Sequence, residues 1–124
     1  MKPDQPLASR EVVDLLRRFS SVSAWVIGDV MLDEYIEGDV RRISPDAPVQ
    51  VVNVRSEYVR LGGAANVAHG LAALGAKVEL CGAVGKDDAA ERFRAEAATV
   101  GIGVSALATV PERPTTRKVR VLAG

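Results

Sequence analysis

The stretch Ala24-Trp25-Val26-Ile27 is apolar without interruption and stops at Gly28-Asp29. A strand with one wet face alternates polar and apolar residues, whereas a strand covered on both faces does not, and that second pattern belongs to parallel sheets. Parallel neighbours need crossover connections, usually helical, so this run commits the rest of the chain to an α/β alternation. The sequence supplies it. Before the run, Val12, Leu15, Leu16 and Phe19 sit at i, i+3, i+4 and i+7, a helical stripe that Ser9 could cap behind a loose, proline-bearing tail over residues 1–7. After it, Val67, Leu71 and Leu74 mark a helix opened by Gly62-Gly63 and ended at Gly75, and residues 77–84 read as a strand. Ala90, Phe93, Ala97 and Val100 line one face of the next helix, with Asp88 and Glu91 at capping-box spacing and Gly101 and Gly103 closing it. Residues 104–110 and 115–122 read as two further strands joined by Pro111-Glu112-Arg113-Pro114.

One segment breaks the alternation. Over residues 34–43 and 49–54 polarity partly alternates, and Ser44-Pro45-Asp46-Ala47-Pro48 between them is dense in turn formers. A half-polar pair ahead of the first crossover helix does not suit a buried parallel sheet, so a projecting flap is expected over about residues 34–56, covering a site or a partner. The last strand reaches Gly124 without a helix to cover it, so residues 1–124 read as cut rather than finished, a piece of a larger domain.

Charge and cysteine content exclude several classes of function. Sixteen Lys and Arg against sixteen Asp and Glu give a net charge of +0, so no overall field exists to hold nucleic acid or an anionic membrane, and neither is expected as a partner. The single cysteine, Cys81, rules out an internal disulfide framework and a thiolate zinc cluster and is read as a small buried apolar group in its strand. No apolar run approaches the roughly 20 residues of a membrane span, and the amino terminus lacks the order of a secretory signal; a cytoplasmic location is expected. Trp25 is read as core. His69 has no partner at metal-ligand spacing and is read as structural or exposed.

Two motifs point to chemistry. Gly28-Asp29-Val30-Met31-Leu32-Asp33 puts two carboxylates just past a strand end, where sheets of this kind place ligands; a fixed carboxylate there can accept hydrogen bonds from vicinal sugar hydroxyls, or Asp29 and Asp33 can simply cap a turn. Gly62-Gly63-Ala64-Ala65-Asn66 opens a helix, lets a backbone approach a polyhydroxyl ligand, and adds an amide that donates and accepts; the same glycines would also serve tight helix packing alone. Neither the Walker pattern nor GxGxxG is present. Arg41 and Arg42 on the flap can hold a phosphate or serve as a solvated edge, and the same two readings apply to Lys118 within Thr115-Thr116-Arg117-Lys118.

In order and separation these residues resemble the amino-terminal part of a ribokinase-like sugar kinase of the PfkB family. Gly28-Asp29 with Asp33, Gly62-Gly63-Ala64-Ala65-Asn66, Ala73-Leu74-Gly75-Ala76 and Gly82-Ala83-Val84-Gly85-Lys86-Asp87 carry the likeness. Within the family, Arg42-Ile43-Ser44-Pro45-Asp46-Ala47-Pro48-Val49 and Arg113-Pro114-Thr115-Thr116-Arg117-Lys118 resemble the heptose 7-phosphate kinases, including the kinase half of bifunctional enzymes. The resemblance implies an incomplete ribokinase-like, Rossmann-like α/β sandwich with a β lid, and ATP with Mg²⁺ as cofactors of the parent enzyme. It implies phosphoryl transfer to O1 of the sugar phosphate on the route to ADP-heptose and the lipopolysaccharide core, and a homodimer paired through the lids. It also implies substrate-binding roles for Asp33, Gly62, Gly63 and Asn66, and weaker ones for Asp29, Arg41, Arg42 and Lys118. The family's catalytic base lies in a GAGD motif that these residues do not contain, so no catalytic, nucleotide or metal residue is expected within them, and the piece alone is expected to be inactive. The rival readings are a family member acting on ribose, fructose or a ketose phosphate, and a non-catalytic α/β binding module.

Overall fold

The structure, a computed structural model, describes residues 9–124; the tail over residues 1–7 lies outside the described residues, and the Ser9 side chain expected to cap the first helix is likewise not described. Helix α1 (Ser9–Arg18) passes through one 3₁₀ turn, Phe19–Ser21, into β1 (Ser23–Ile27). β1 pairs in parallel with β4 (Lys77–Val84), from Ser23 opposite Lys77 to Ile27 opposite Cys81. Helix α2 (Ala64–Ala73) leads into β4, and α3 (Asp88–Thr99) leads from it to β5 (Ile102–Gly103) and β6 (Leu107–Thr109), both parallel to β4. This body is the α/β sheet anticipated from the first apolar run, and it carries the core around Leu80, Val84 and Phe93.

Several details differ from expectation, each for a physical reason. The described residues cover one face of β1: Val26 packs on the core, while Trp25 and Ile27 emerge on the other face at 66% and 76% exposure, so Trp25 is not part of the described core. Cys81 is half-buried rather than buried. On α2 the inward residues are Ala65 and Ala68, with Leu71 and Ala72 beside them, and Val67 and Leu74 are exposed; small side chains let this helix lie close to the sheet. α3 starts one residue earlier than the Asp88–Glu91 spacing suggests, because Asp87 is the N-cap, its Oδ1 accepting from the Ala90 N–H at 2.9 Å. Of the strand expected over residues 104–110 only Leu107–Thr109 forms, as β6, while β5 lies ahead of that range; between them Glu79 Oε1 accepts from the Ser105 hydroxyl at 2.6 Å and the Ala106 N–H at 3.2 Å, holding the chain in a turn.

The flap is longer and better rooted than its polarity suggests. β2 (Val30–Ile43) and β3 (Gln50–Gly63) are antiparallel over their full lengths, with register shifts at Glu37/Gly38 and Val40/Arg42. It is rooted by residues outside the half-polar range: Val30 and Leu32 at the start of β2 and Leu61 near the end of β3 are buried in the core. The last strand, β7 (Arg117–Ala123), joins this sheet rather than the body, pairing in parallel with β2 from Leu32–Arg117 to Gly38–Ala123 and giving the order β3-β2-β7. Beyond Gly38 the two long strands pair with no other described strand.

Candidate functional site: a cleft between lid root and helix

β2 alternates across the lid sheet, so Asp33 and Tyr35 share one face while Leu32 and Glu34 share the other. Register then sets their neighbours. Arg60 and Lys118 stand opposite Asp33, and Tyr58 and Arg120 opposite Tyr35. Under the Asp33 face a cleft of about 250 Å³ opens between the lid root and α2, lined by Asp33, Tyr35, Arg60, Gly62, Gly63 and Asn66, with His69, Glu96 and Val100 completing its helical wall.

The glycines are required by geometry. A Cβ at Gly62 would lie 2.8 Å from Asp33 Oδ2 and 2.6 Å from the Met31 side chain, so glycine there is what lets the carboxylate lie against the turn. Gly63 has φ +61°, and a Cβ on it would fall on the Asp29 carbonyl oxygen, which accepts from the Ala64 N–H at 2.8 Å and ties the end of β1 to the start of α2.

Asp33 is held on one side only. Its Oδ1 accepts from Arg120 Nη1 at 3.0 Å and lies 3.8 Å from Lys118 Nζ, whereas its Oδ2 accepts from no described residue. The Asn66 amide is likewise without a described partner. Tyr35 and Tyr58 stack at 4.8 Å with planes 6° apart, Arg120 lies over Tyr35 and Arg60 over Tyr58, and Glu37 accepts from Ser56 Oγ and the Tyr58 hydroxyl. Desolvation, with the Glu37 hydrogen bond next, raises the Tyr58 hydroxyl above its ordinary pKa.

The opposite face carries a different cluster. Glu34, 7% exposed, accepts from Arg117 Nε at 3.2 Å and Nη2 at 2.5 Å and from Arg92 Nη1 at 2.9 Å. The Arg117 hydrogen bond chiefly holds its carboxyl below the usual range, against the opposing effect of burial. Asp87 accepts from the Thr115 N–H and hydroxyl at 2.8 and 2.7 Å as well as capping α3, and the Thr115 bonds chiefly lower its pKa.

Thus Asp33, Gly62, Gly63 and Asn66 come together in one cleft, with Lys118 beside it. Asp29 is exposed and contributes its backbone carbonyl. Arg41 and Arg42 are exposed near the hairpin tip, eight and nine residues along β2 from Asp33 or roughly 30 Å at about 3.3 Å per residue, and the fold does not bring them to the cleft. Sequence reasoning missed Tyr35, Arg60 and Arg120, which only strand register reveals. It also set aside His69, although its i+3 spacing from Asn66 places both on one helix face. Among the described residues no three or more His, Cys, Asp or Glu side chains gather to hold a metal ion.

A parallel α/β body with a rooted β lid, and a glycine-bounded cleft between them, define a fold of the ribokinase class. Residues 23–124 match the pfkB family of carbohydrate kinases, and the chain belongs to that family. It is 48% identical over 114 residues to the bifunctional protein HldE of Citrifermentans bemidjiense, covering 92% of this chain and 23% of that protein. It is 51% identical over 105 residues to the D-beta-D-heptose 7-phosphate kinase of Bordetella bronchiseptica, covering 85% and 33%. Among solved structures, a carbohydrate kinase from Agrobacterium tumefaciens superposes with a TM-score of 0.66 at 22% identity over 82% of this chain and 32% of that one. Ribokinase from Cryptococcus neoformans in complex with ADP gives 0.56 at 28% identity over 79% and 30%. The chain thus spans between a fifth and a third of the length of its curated relatives.

Proposed function

We propose that these residues form the acceptor-binding portion of a kinase that phosphorylates D-glycero-β-D-manno-heptose 7-phosphate at O1, a step toward ADP-heptose and the lipopolysaccharide core. The observation that carries this reading is the free Oδ2 of Asp33 facing the same cleft as Gly62, Gly63 and Asn66. A carboxylate so placed accepts from sugar hydroxyls, the amide of Asn66 donates to and accepts from others, and the glycines let the ring approach the backbone. The names of the relatives support heptose 7-phosphate as the sugar phosphate. For the whole protein we assign ATP as donor with Mg²⁺ as its counterion, and a cytoplasmic location; no described helix is long and apolar enough to cross a membrane.

Residues 34–56 act as the lid in this reading, and two lids pair to make a homodimer. Supporting this, the hairpin beyond Gly38 has edges that no other described strand pairs with, and it exposes Ile43, Val49 and Val54 at 69%, 57% and 51%. The test is phosphoryl transfer by the full-length protein, followed by phosphorus NMR, with heptose 7-phosphate, ribose and fructose 6-phosphate in parallel. Heptose 7-phosphate should be turned over with the highest kcat/KM, and Asp33→Asn should lower it about 10- to 100-fold, the worth of a hydrogen bond to a charged group. Faster turnover of ribose or fructose 6-phosphate would refute the assignment.

A further inference from the structure

On the cleft face of the lid root three cations, Arg60, Lys118 and Arg120, stand against two carboxylates, Asp33 and Glu37. Arg60, Lys118 and Arg120 sit in two adjoining cross-strand rows, Arg60–Asp33–Lys118 and Tyr58–Tyr35–Arg120. Arg60 has no carboxylate partner among the described residues and is positioned over the Tyr58 ring at 5.5 Å. Glu37, the next carboxylate on that face, is engaged by Ser56 and Tyr58, while Glu34 is on the opposite face with Arg92 and Arg117. On the helical wall stand Glu96 and His69. Two guanidiniums braced on stacked aromatic rings and one ammonium at a cleft rim are suited to a dianionic phosphate monoester.

We propose that Arg60, Lys118 and Arg120 form the phosphate subsite of this cleft, and that the incoming phosphate draws Lys118 and Arg120 off Asp33, releasing the carboxylate for the sugar hydroxyls. The inference rests on the acceptor-binding reading above and replaces Arg41 and Arg42 as phosphate ligands. Its consequence is selectivity. An unphosphorylated sugar must compete with Arg120 for Asp33, whereas a phosphorylated one exchanges that ion pair for a better one.

Calorimetric titration of the full-length protein with heptose 7-phosphate, unphosphorylated heptose and inorganic phosphate tests this in the wild type, Arg60→Gln, Lys118→Gln, Arg120→Gln and Arg120→Lys. Each Gln variant should lose about tenfold or more affinity for the phosphorylated sugar, the worth of one charge-assisted hydrogen bond. Arg120→Gln should leave heptose binding unchanged or tighter, Arg120→Lys should recover part of the loss, and inorganic phosphate should compete with the phosphorylated sugar. Parallel losses for both sugars mark a merely structural role and overturn the proposal, as does equal wild-type affinity for them, which would leave the sugar-kinase reading standing. If fructose 6-phosphate binds in place of heptose 7-phosphate, the choice of sugar falls and the same ratios, measured against fructose, decide the subsite. Lys118, with its side chain 54% exposed, gives a variant that folds if Arg120→Gln does not.

Discussion

Asp33 and Glu34 are neighbours on one strand, yet they belong to two different regions of the molecule. Both are carboxylates, and both meet arginines delivered by β7, because Arg117 and Arg120 fall on opposite faces of that strand. On the Glu34 face every oxygen is engaged, by a two-pronged Arg117 and by Arg92 from α3, with the carboxylate nearly out of contact with water. On the Asp33 face one oxygen is paired and the other is open to a cleft. An ion pair by itself therefore does not separate scaffold from site. Complete satisfaction makes Glu34 a clamp that fixes β7 and α3 to the lid, and the unfilled acceptor leaves Asp33 with something to bind.

The two faces share a platform, and destroying it should give the largest effect. Phe93 is fully buried on α3, the helix that sends Arg92 to Glu34 and Glu96 to the cleft and whose C-cap, Val100, also lines it. Phe93→Ala should cost about 3–5 kcal/mol in urea unfolding and impair both faces together. Sugar binding that survived this loss would show that the faces do not depend on a common support.

Substitution at the two carboxylates sharpens the contrast. Glu34→Gln should cost about 1.5–3 kcal/mol of stability, toward the low end because Arg92 and Arg117 are half-exposed and can rehydrate, while leaving sugar affinity nearly intact. Asp33→Asn should reverse the pattern, costing under about 1 kcal/mol, since its ion pairs border solvent, and abolishing most sugar binding. Acid should act on the scaffold in the same sense as Glu34→Gln. Arg117 holds Glu34, and Thr115 holds Asp87, below their ordinary ionisation ranges, so each binds a proton more weakly folded than unfolded. Their stabilisation is present above the ordinary values of 4.5 and 3.8 and is lost as pH falls through the depressed folded values. Unfolding free energy measured from pH 7 to pH 3 should fall below about pH 4.5, and Glu34→Gln should remove part of that slope.

How well these regions could be read from the sequence differs for the same reason. The body follows from local pattern: the apolar run at β1, the strand over residues 77–84 and the stripe through Phe93 each report their own burial. The glycine turn and Asp33 are also local, since both lie in short motifs with defined neighbours. Arg60, Arg117 and Arg120 are not. Their roles depend on which residues they face across β2, and that register is fixed by 14-residue strands with two shifts and by β7 joining the lid instead of the body, none of which leaves a periodic signal. Trp25 shows the converse, for its apolar run describes a strand with two covered faces while the described residues cover only one.

The smallest effect is expected at the hairpin tip, where local reading left Arg41 and Arg42 as either phosphate ligands or a solvated edge. Both are exposed, neither forms an ion pair with a described residue, and the strand carries them roughly 30 Å from Asp33. At physiological ionic strength a charge beyond about 8 Å is largely screened, so neither can contribute directly to a ligand in the cleft of its own chain. Arg41→Gln and Arg42→Gln should change heptose 7-phosphate affinity by less than about twofold, a shift on the order of RT ln 2, in calorimetry at 0.15 M salt. A loss as large as that of Arg120→Gln could arise only if the tip reaches a cleft other than its own, which in a lid-paired dimer would be the partner's. Repeating the titration at increasing dilution would separate the cases, because a contribution made across the dimer must vanish with dissociation.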